Sequence, residues 1–161
     1  MLRRSVWLWA CLLFGLTACG EEDVAATISV KVFPARLAED PLAEPQAGWR
    51  RLEYSGGVRA GAGTYLVAEK PLLTEWNLVA VKIASQPDGS AAVTGRLNAY
   101  AKREVSEVTA DAENRRGHLA VQIDGRWADV SPLLRRITDR ITIYGFTTEE
   151  AQRLDRYLTA R

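Results

Sequence analysis

The side chains that could do chemistry in this chain are few and scattered. Its single histidine, His118, follows Arg115 and Arg116 and opens an alternating apolar segment, with no cysteine or carboxylate cluster around it at metal-ligand spacing. That context predicts a surface or strand-edge imidazole and no metal. Serine-based acyl chemistry needs a strained, glycine-flanked turn of the Gly-x-Ser-x-Gly form, which neither Ser55-Gly56-Gly57 nor Ser131-Pro132 provides. Gly61 and Gly63 lack the Lys-Ser/Thr pair that completes a phosphate cradle, so they predict a flexible loop and no nucleotide. Asp124 and Asp129 flank a hairpin. A turn explains the first and an exposed strand position the second, so they make no general acid–base pair. The expectation is a chain without catalytic, metal-binding or cofactor-binding residues.

Two further groups suit contact better than catalysis. Arg135, Arg136 and Arg140 form a basic run that reads as a solvated face, able to meet lipid headgroups or an acidic partner. Trp49, Trp76 and Trp127 read as core or edge packing, with an exposed one near the glycine-rich loop as a natural partner anchor.

Cys19 is the residue with a definite chemical expectation. Arg3 and Arg4 precede an apolar run from Val6 to Leu16, the order of a secretory signal. A spanning helix needs ~20 apolar residues, and Gly20, Glu21, Glu22 and Asp23 end this run well short of that. Leu16-Thr17-Ala18-Cys19 resembles the bacterial lipobox, in which the thiol receives a diacylglycerol and the chain is cut just before it. With the new amino terminus acylated as well, several chains at ~0.8 kcal/mol per buried methylene hold a protein durably on a bilayer. Gly20 in place of aspartate matches sorting to the outer membrane rather than the inner one. Cys11 falls in the discarded run, so no disulfide is expected.

The elements must therefore position a surface, not a reaction centre. Residues 1–18 read as signal peptide and 19–26 as a tether from the lipidated cysteine, reaching at most ~25 Å, which keeps the domain near the membrane. Removal of Arg3 and Arg4 from 21 basic residues leaves 19 against 20 acidic ones, a balance that excludes a nucleic-acid binder. The remaining length suits one domain, and there is no internal repeat or heptad pattern.

From Thr27 to Phe33 apolar Ile28, Val30 and Val32 alternate with polar neighbours, which predicts a half-buried strand. Residues 27–63 read as strands within a proline- and glycine-rich irregular segment, with strands at Arg51 to Tyr54 and, after it, Thr64 to Ala68. Thr74 caps a short turn through Trp76. Val79, Val81 and Ile83 should answer Ala91, Val93 and Leu97 across a hairpin reversed at Pro87-Asp88-Gly89-Ser90. Asn98 caps a helix of about four turns with an apolar stripe at Ala101, Val105, Val108 and Ala112, stopped near Gly117. A second hairpin carries Leu119, Val121 and Ile123, turns at Asp124-Gly125, returns through Trp127 to Val130 and ends at Pro132. Ile141 and Ile143 mark a last strand. Thr147 and Glu150 then have capping-box spacing before a helix facing inward through Ala151, Leu154 and Leu158. This order predicts an α+β fold, a mainly antiparallel sheet with two helices packed on one face.

In order and spacing, several of these motifs resemble the head subdomain of the first periplasmic domain of SecD. They are Leu73-Thr74, Leu97-Asn98, Val108-Thr109, Gly117-His118-Leu119-Ala120-Val121 with Asp124-Gly125, Pro132, and Ile143-Tyr144-Gly145-Phe146-Thr147 with Glu150-Ala151. The similarity runs from Thr64 to about Leu158, so 64–161 is assigned as a SecD-periplasmic-head-like domain; before Tyr65 the chain departs from the family's longer base region. The resemblance implies a periplasmic module that touches polypeptide. It does not carry over the proton-coupled work of SecD and SecF, which belongs to membrane helices. The expected role is therefore a membrane-anchored, non-catalytic lipoprotein that binds an envelope protein or extended polypeptide, accessory to protein export or envelope assembly. The alternatives open to the sequence are an envelope hydrolase of unrecognised type and a purely structural lipoprotein.

Overall fold

Nine strands and two helices form where apolar periodicity and capping residues demand them, in a computed structural model that describes residues 27–39, 44–110 and 117–161. The strands are β1 (Val30–Leu37), β2 (Trp49–Tyr54), β3 (Gly63–Ala68), β4 (Leu73–Thr74), β5 (Leu78–Ser85), β6 (Ala91–Leu97), β7 (His118–Ile123), β8 (Arg126–Pro132) and β9 (Arg140–Phe146). The helices are α1 (Ala99–Val108) and α2 (Thr148–Thr159), and a single 3-10 turn spans Glu75–Asn77. Every pairing is antiparallel. The fold is α+β, as the order of elements predicts.

The strands divide between two sheets, a division the strand order alone does not specify. The larger runs β2-β3-β1-β7-β8, with β4 also on β1, and the smaller runs β5-β6-β9. Because β1 pairs with both β3 and β7, the segments before and after residue 63 share one sheet. Both helices lie on the inner face of the smaller sheet, where Ala101, Val105, Ala151 and Leu154 pack with Val93, Leu97, Ile141 and Ile143. The same core takes Val30, Val32, Val121 and Ile123 from one face of the larger sheet.

The opposite face of the larger sheet closes on itself. Phe33, Ala35, Leu52, Tyr65, Val67, Ala120 and Val130 form a second core, with Tyr54 of β2 and Trp127 of β8 packed against it. Since β2 and β8 are the two ends of that sheet, side chains from both in one cluster mean that the sheet coils until its edges face each other. The Arg50 guanidinium bridges them, 5.0 Å from the Phe33 ring and 4.9 Å from that of Trp127.

Local chemistry fixes the element ends. Asn98 accepts a hydrogen bond from the Ala101 amide at 2.9 Å, and Thr147 and Glu150 cap α2 reciprocally at 3.1 and 2.8 Å. Asp124, at φ 47°, turns the β7–β8 hairpin with Gly125; its backbone and side chain both bond the Ser29 peptide unit, and its carboxylate pairs with Arg153.

Two expectations fail for definable reasons. Val79 is 46% exposed, because a bulge between Leu78 and Ala80 inserts it as an extra residue and turns Leu78, 2% exposed, into the core instead. The stripe of α1 does not continue through Val108, which is half exposed, but passes to fully buried Thr109. The helix ends there, shorter than four turns, and the Thr109 hydroxyl donates to the Val105 carbonyl at 2.7 Å while accepting from the Ile137 amide at 2.9 Å. A polar side chain is tolerated in the core because both of its bonds are made. Ala112, Arg115 and Arg116 lie outside the described residues, as does the whole segment 1–26 with Cys19.

Candidate functional site

Two places are built by more than packing: a polar cavity at the seam between the sheets and the open edge of the smaller sheet. The seam forms where β9 crosses β8 at Gly145, whose φ is +85° and where a side chain would meet the Ala128 carbonyl oxygen at 2.5 Å. Only glycine satisfies both conditions. Beside this crossing lies a cavity of about 360 Å³, lined by Tyr54, Arg59, Asp88, Trp127, Asp129 and Tyr144 among others.

Asp129 is 5% exposed, which corrects its assignment to an exposed strand position. A bulge on β8 leaves Ala128 unpaired between Trp127 and Asp129, and the glycine-rich β2–β3 loop brings Gly57 and Arg59 over the carboxylate. Burial pushes the Asp129 pKa up, while the Ser131 hydroxyl, which donates to it, and the nearby Arg59 charge pull it back. The Arg59 guanidinium sits 3.5 Å from the centre of the Tyr144 ring. Burial, followed by the Asp129 charge, raises the Tyr54 hydroxyl. The Ser131 hydroxyl thus donates its hydrogen bond to a carboxylate directly, and the charge opposite that carboxylate is an arginine. The arrangement ties the seam together electrostatically and contains no serine–imidazole relay.

His118 lies on the internal strand β7, opposite Ala35 and Pro132, so it is not at a sheet edge. It stacks edge-on against Tyr65 at 5.3 Å, its Nδ1 is buried without a partner, and burial lowers its pKa. No group of three metal-ligating side chains converges among the described residues. Ser55 and Gly56-Gly57 belong to the loop over the cavity, and Gly61 accepts the Tyr65 hydroxyl. Of the basic run, Arg136 donates to the Ser106 carbonyl and hydroxyl at 3.1 and 2.8 Å, whereas Arg140 reaches Asp139 at 3.6 Å and stays exposed with Arg135. Trp127 packs on Phe33, Trp49 lies under Arg36, and Trp76, 55% exposed, stands edge-on to Tyr157.

The edge of the smaller sheet has a different character. Side chains from the two ends of the larger sheet share one cluster, and β9 runs against β8, whereas among the described residues no strand lies on or against the outer side of β5. Among the described residues no strand takes up its backbone groups there, which leaves them as a template for pairing. Beyond the bulge the strand is regular from Ala80 to Ser85. Val81 and Ile83 point inward toward Tyr157 and Leu158 but remain half-buried, as side chains do when no neighbouring strand covers them. Ala80, Lys82 and Ala84 point outward and are exposed. Neither this edge nor the Arg59–Tyr144–Asp129 cluster is among the sites that the sequence predicts. The lysine alternating with valine and isoleucine in β5 was a legible signal for the edge, whereas nothing local joined Arg59 to Tyr144.

No helix among the described residues is long and apolar enough to cross a membrane. No protein-family profile matches the chain, and neither does any curated protein. Among solved structures, the chain is similar to a structure of SecDF, a membrane component that enhances protein export, at 16% identity and a TM-score of 0.49 over 81% of this chain and 61% of that one. It is also similar to SecDF in a super-membrane-facing form, at 20% identity and a TM-score of 0.48 over 81% of this chain. The chain thus spans about 61% of the length of the first and 18% of the second.

Proposed function

We propose that this chain is a membrane-anchored, non-catalytic binding module that accepts an extended polypeptide, or an edge segment of an envelope protein, as an added strand on β5. The observation that carries this reading is the outer side of β5, unpaired among the described residues, a regular stretch with apolar side chains half-covered on its inward face. Main-chain hydrogen bonds along such an edge supply affinity with little demand on sequence, which suits a partner met in unfolded form. The anchor in this reading is acylated Cys19, on the periplasmic side of the outer membrane, supported by the lipobox pattern of residues 16–19. The ordered motifs shared with the SecD head support a role accessory to export or envelope assembly.

The test is amide hydrogen exchange on the full chain, purified from membranes, with and without a permanently unfolded model polypeptide. Protection confined to β5 is the expected result; protection elsewhere, or none, removes the binding reading. Mass spectrometry tests the anchor separately: the mature chain should begin at Cys19 with acyl mass on it, and Cys19→Ser should leave the membrane fraction.

A further inference from the structure

The outward strand positions of the β5-β6-β9 sheet carry charges of one sign. Pairing places Ala80 beside Arg96, Lys82 beside Thr94, and Ala84 beside Ala92; on the far side Arg96 meets Arg140 and Thr94 meets Thr142. The outward positions of the three strands thus hold Lys82, Arg96 and Arg140 and no carboxylate. Asp139, at the rim, is engaged by Lys102 and Arg140 and lies within electrostatic reach of Arg96. Lys82 stands on the open strand itself, exposed, with small Ala80 and Ala84 at the outward positions on either side of it.

We infer that the segment accepted on β5 alternates apolar with acidic side chains, apolar ones turned inward beside Val81 and Ile83 and acidic ones outward beside Lys82. This rests on the strand-addition reading above and adds the chemical class of the partner. The register follows from the period of two: in any strand paired with β5, residues on the Val81 side complete the core with Tyr157 and Leu158, and those between them join the basic face. Opposite charges directly across a pair attract and like charges repel by comparable amounts, so acidic and basic versions of one segment should differ by about tenfold in affinity. The regular stretch from Ala80 to Ser85 accommodates a segment of matching length.

Three ten-residue peptides, alternating valine with glutamate, with lysine or with serine, are titrated by fluorescence anisotropy against the full chain, and β5 amide exchange is followed in parallel. The glutamate peptide should bind about tenfold more tightly than the lysine peptide, with serine between. Lys82→Glu should reverse that order and Lys82→Gln should narrow it, with unchanged circular dichroism showing both variants folded. If all three peptides protect β5 equally, strand addition stands and the acidic preference is wrong. If none protects β5, Lys82 merely guards the edge against pairing, and strand addition falls with the inference. Competition of phosphatidylglycerol vesicles with the glutamate peptide for the Cys19→Ser chain would assign the basic face to lipid and overturn the inference.

Discussion

Replacing Gly145 by alanine tests the seam between the sheets directly. At φ +85° an L-residue sits in the left-handed region, a penalty of about 1–2 kcal/mol. The new Cβ would also stand 2.5 Å from the Ala128 carbonyl oxygen, 2.7 Å from the carbonyl carbon and 3.0 Å from the Ala128 Cβ. Two of these are backbone atoms that cannot rotate away, so β8 and β9 must separate, adding about 1–3 kcal/mol as overpacking does. Gly89→Ala is the matched control: its φ is +82° and nothing lies within 4 Å of the added Cβ. It should lose only the conformational part. Urea unfolding of both variants, with equal m-values, should therefore place Gly145→Ala below Gly89→Ala by about 1–3 kcal/mol. If the two agree within about 0.5 kcal/mol, the sheets do not approach closely at Ala128, and the cavity beside them loses its wall.

Thr109→Val should destabilise by about 1–3 kcal/mol in chemical denaturation, because it strands the Ile137 amide beside the core, while Thr109→Ser should recover most of the loss. Asp129 has a raised native pKa, so the unfolded chain releases this proton first as pH rises, and stability falls from the ordinary carboxylate range up to the native value. Asp129→Asn should accordingly gain on the parent in melting temperature between acid and neutral pH; a difference that does not change with pH would contradict the burial. Thr147→Ala removes the cap of α2 and should lower stability by about 1 kcal/mol, whereas Thr147→Ser should be nearly neutral, as read by thermal melts.

Much of the architecture was written locally. The Asn98 and Thr147–Glu150 caps, the Pro87-Asp88-Gly89-Ser90 and Asp124-Gly125 reversals and the inward faces at Val121, Ile123, Ile141 and Ile143 appear where their patterns predict. Each depends on residues a few positions apart, so the chain encodes it without reference to the rest of the fold. The sites were not legible in this way. Asp129 looks exposed by alternation, but a bulge and a loop from the far end of the sheet bury it. Val79 looks inward, but one inserted residue displaces it.

Sequence by itself determined that the described residues alternate strands with two amphipathic helices, and where those elements begin and turn. Only the tertiary structure decided which strands share a sheet, that side chains from both ends of the larger sheet pack in one cluster, and that among the described residues no strand lies on the outer side of β5. The reason is physical: a period of two tells a strand which side to bury, but not which distant strand will lie beside it or where a bulge will shift the count.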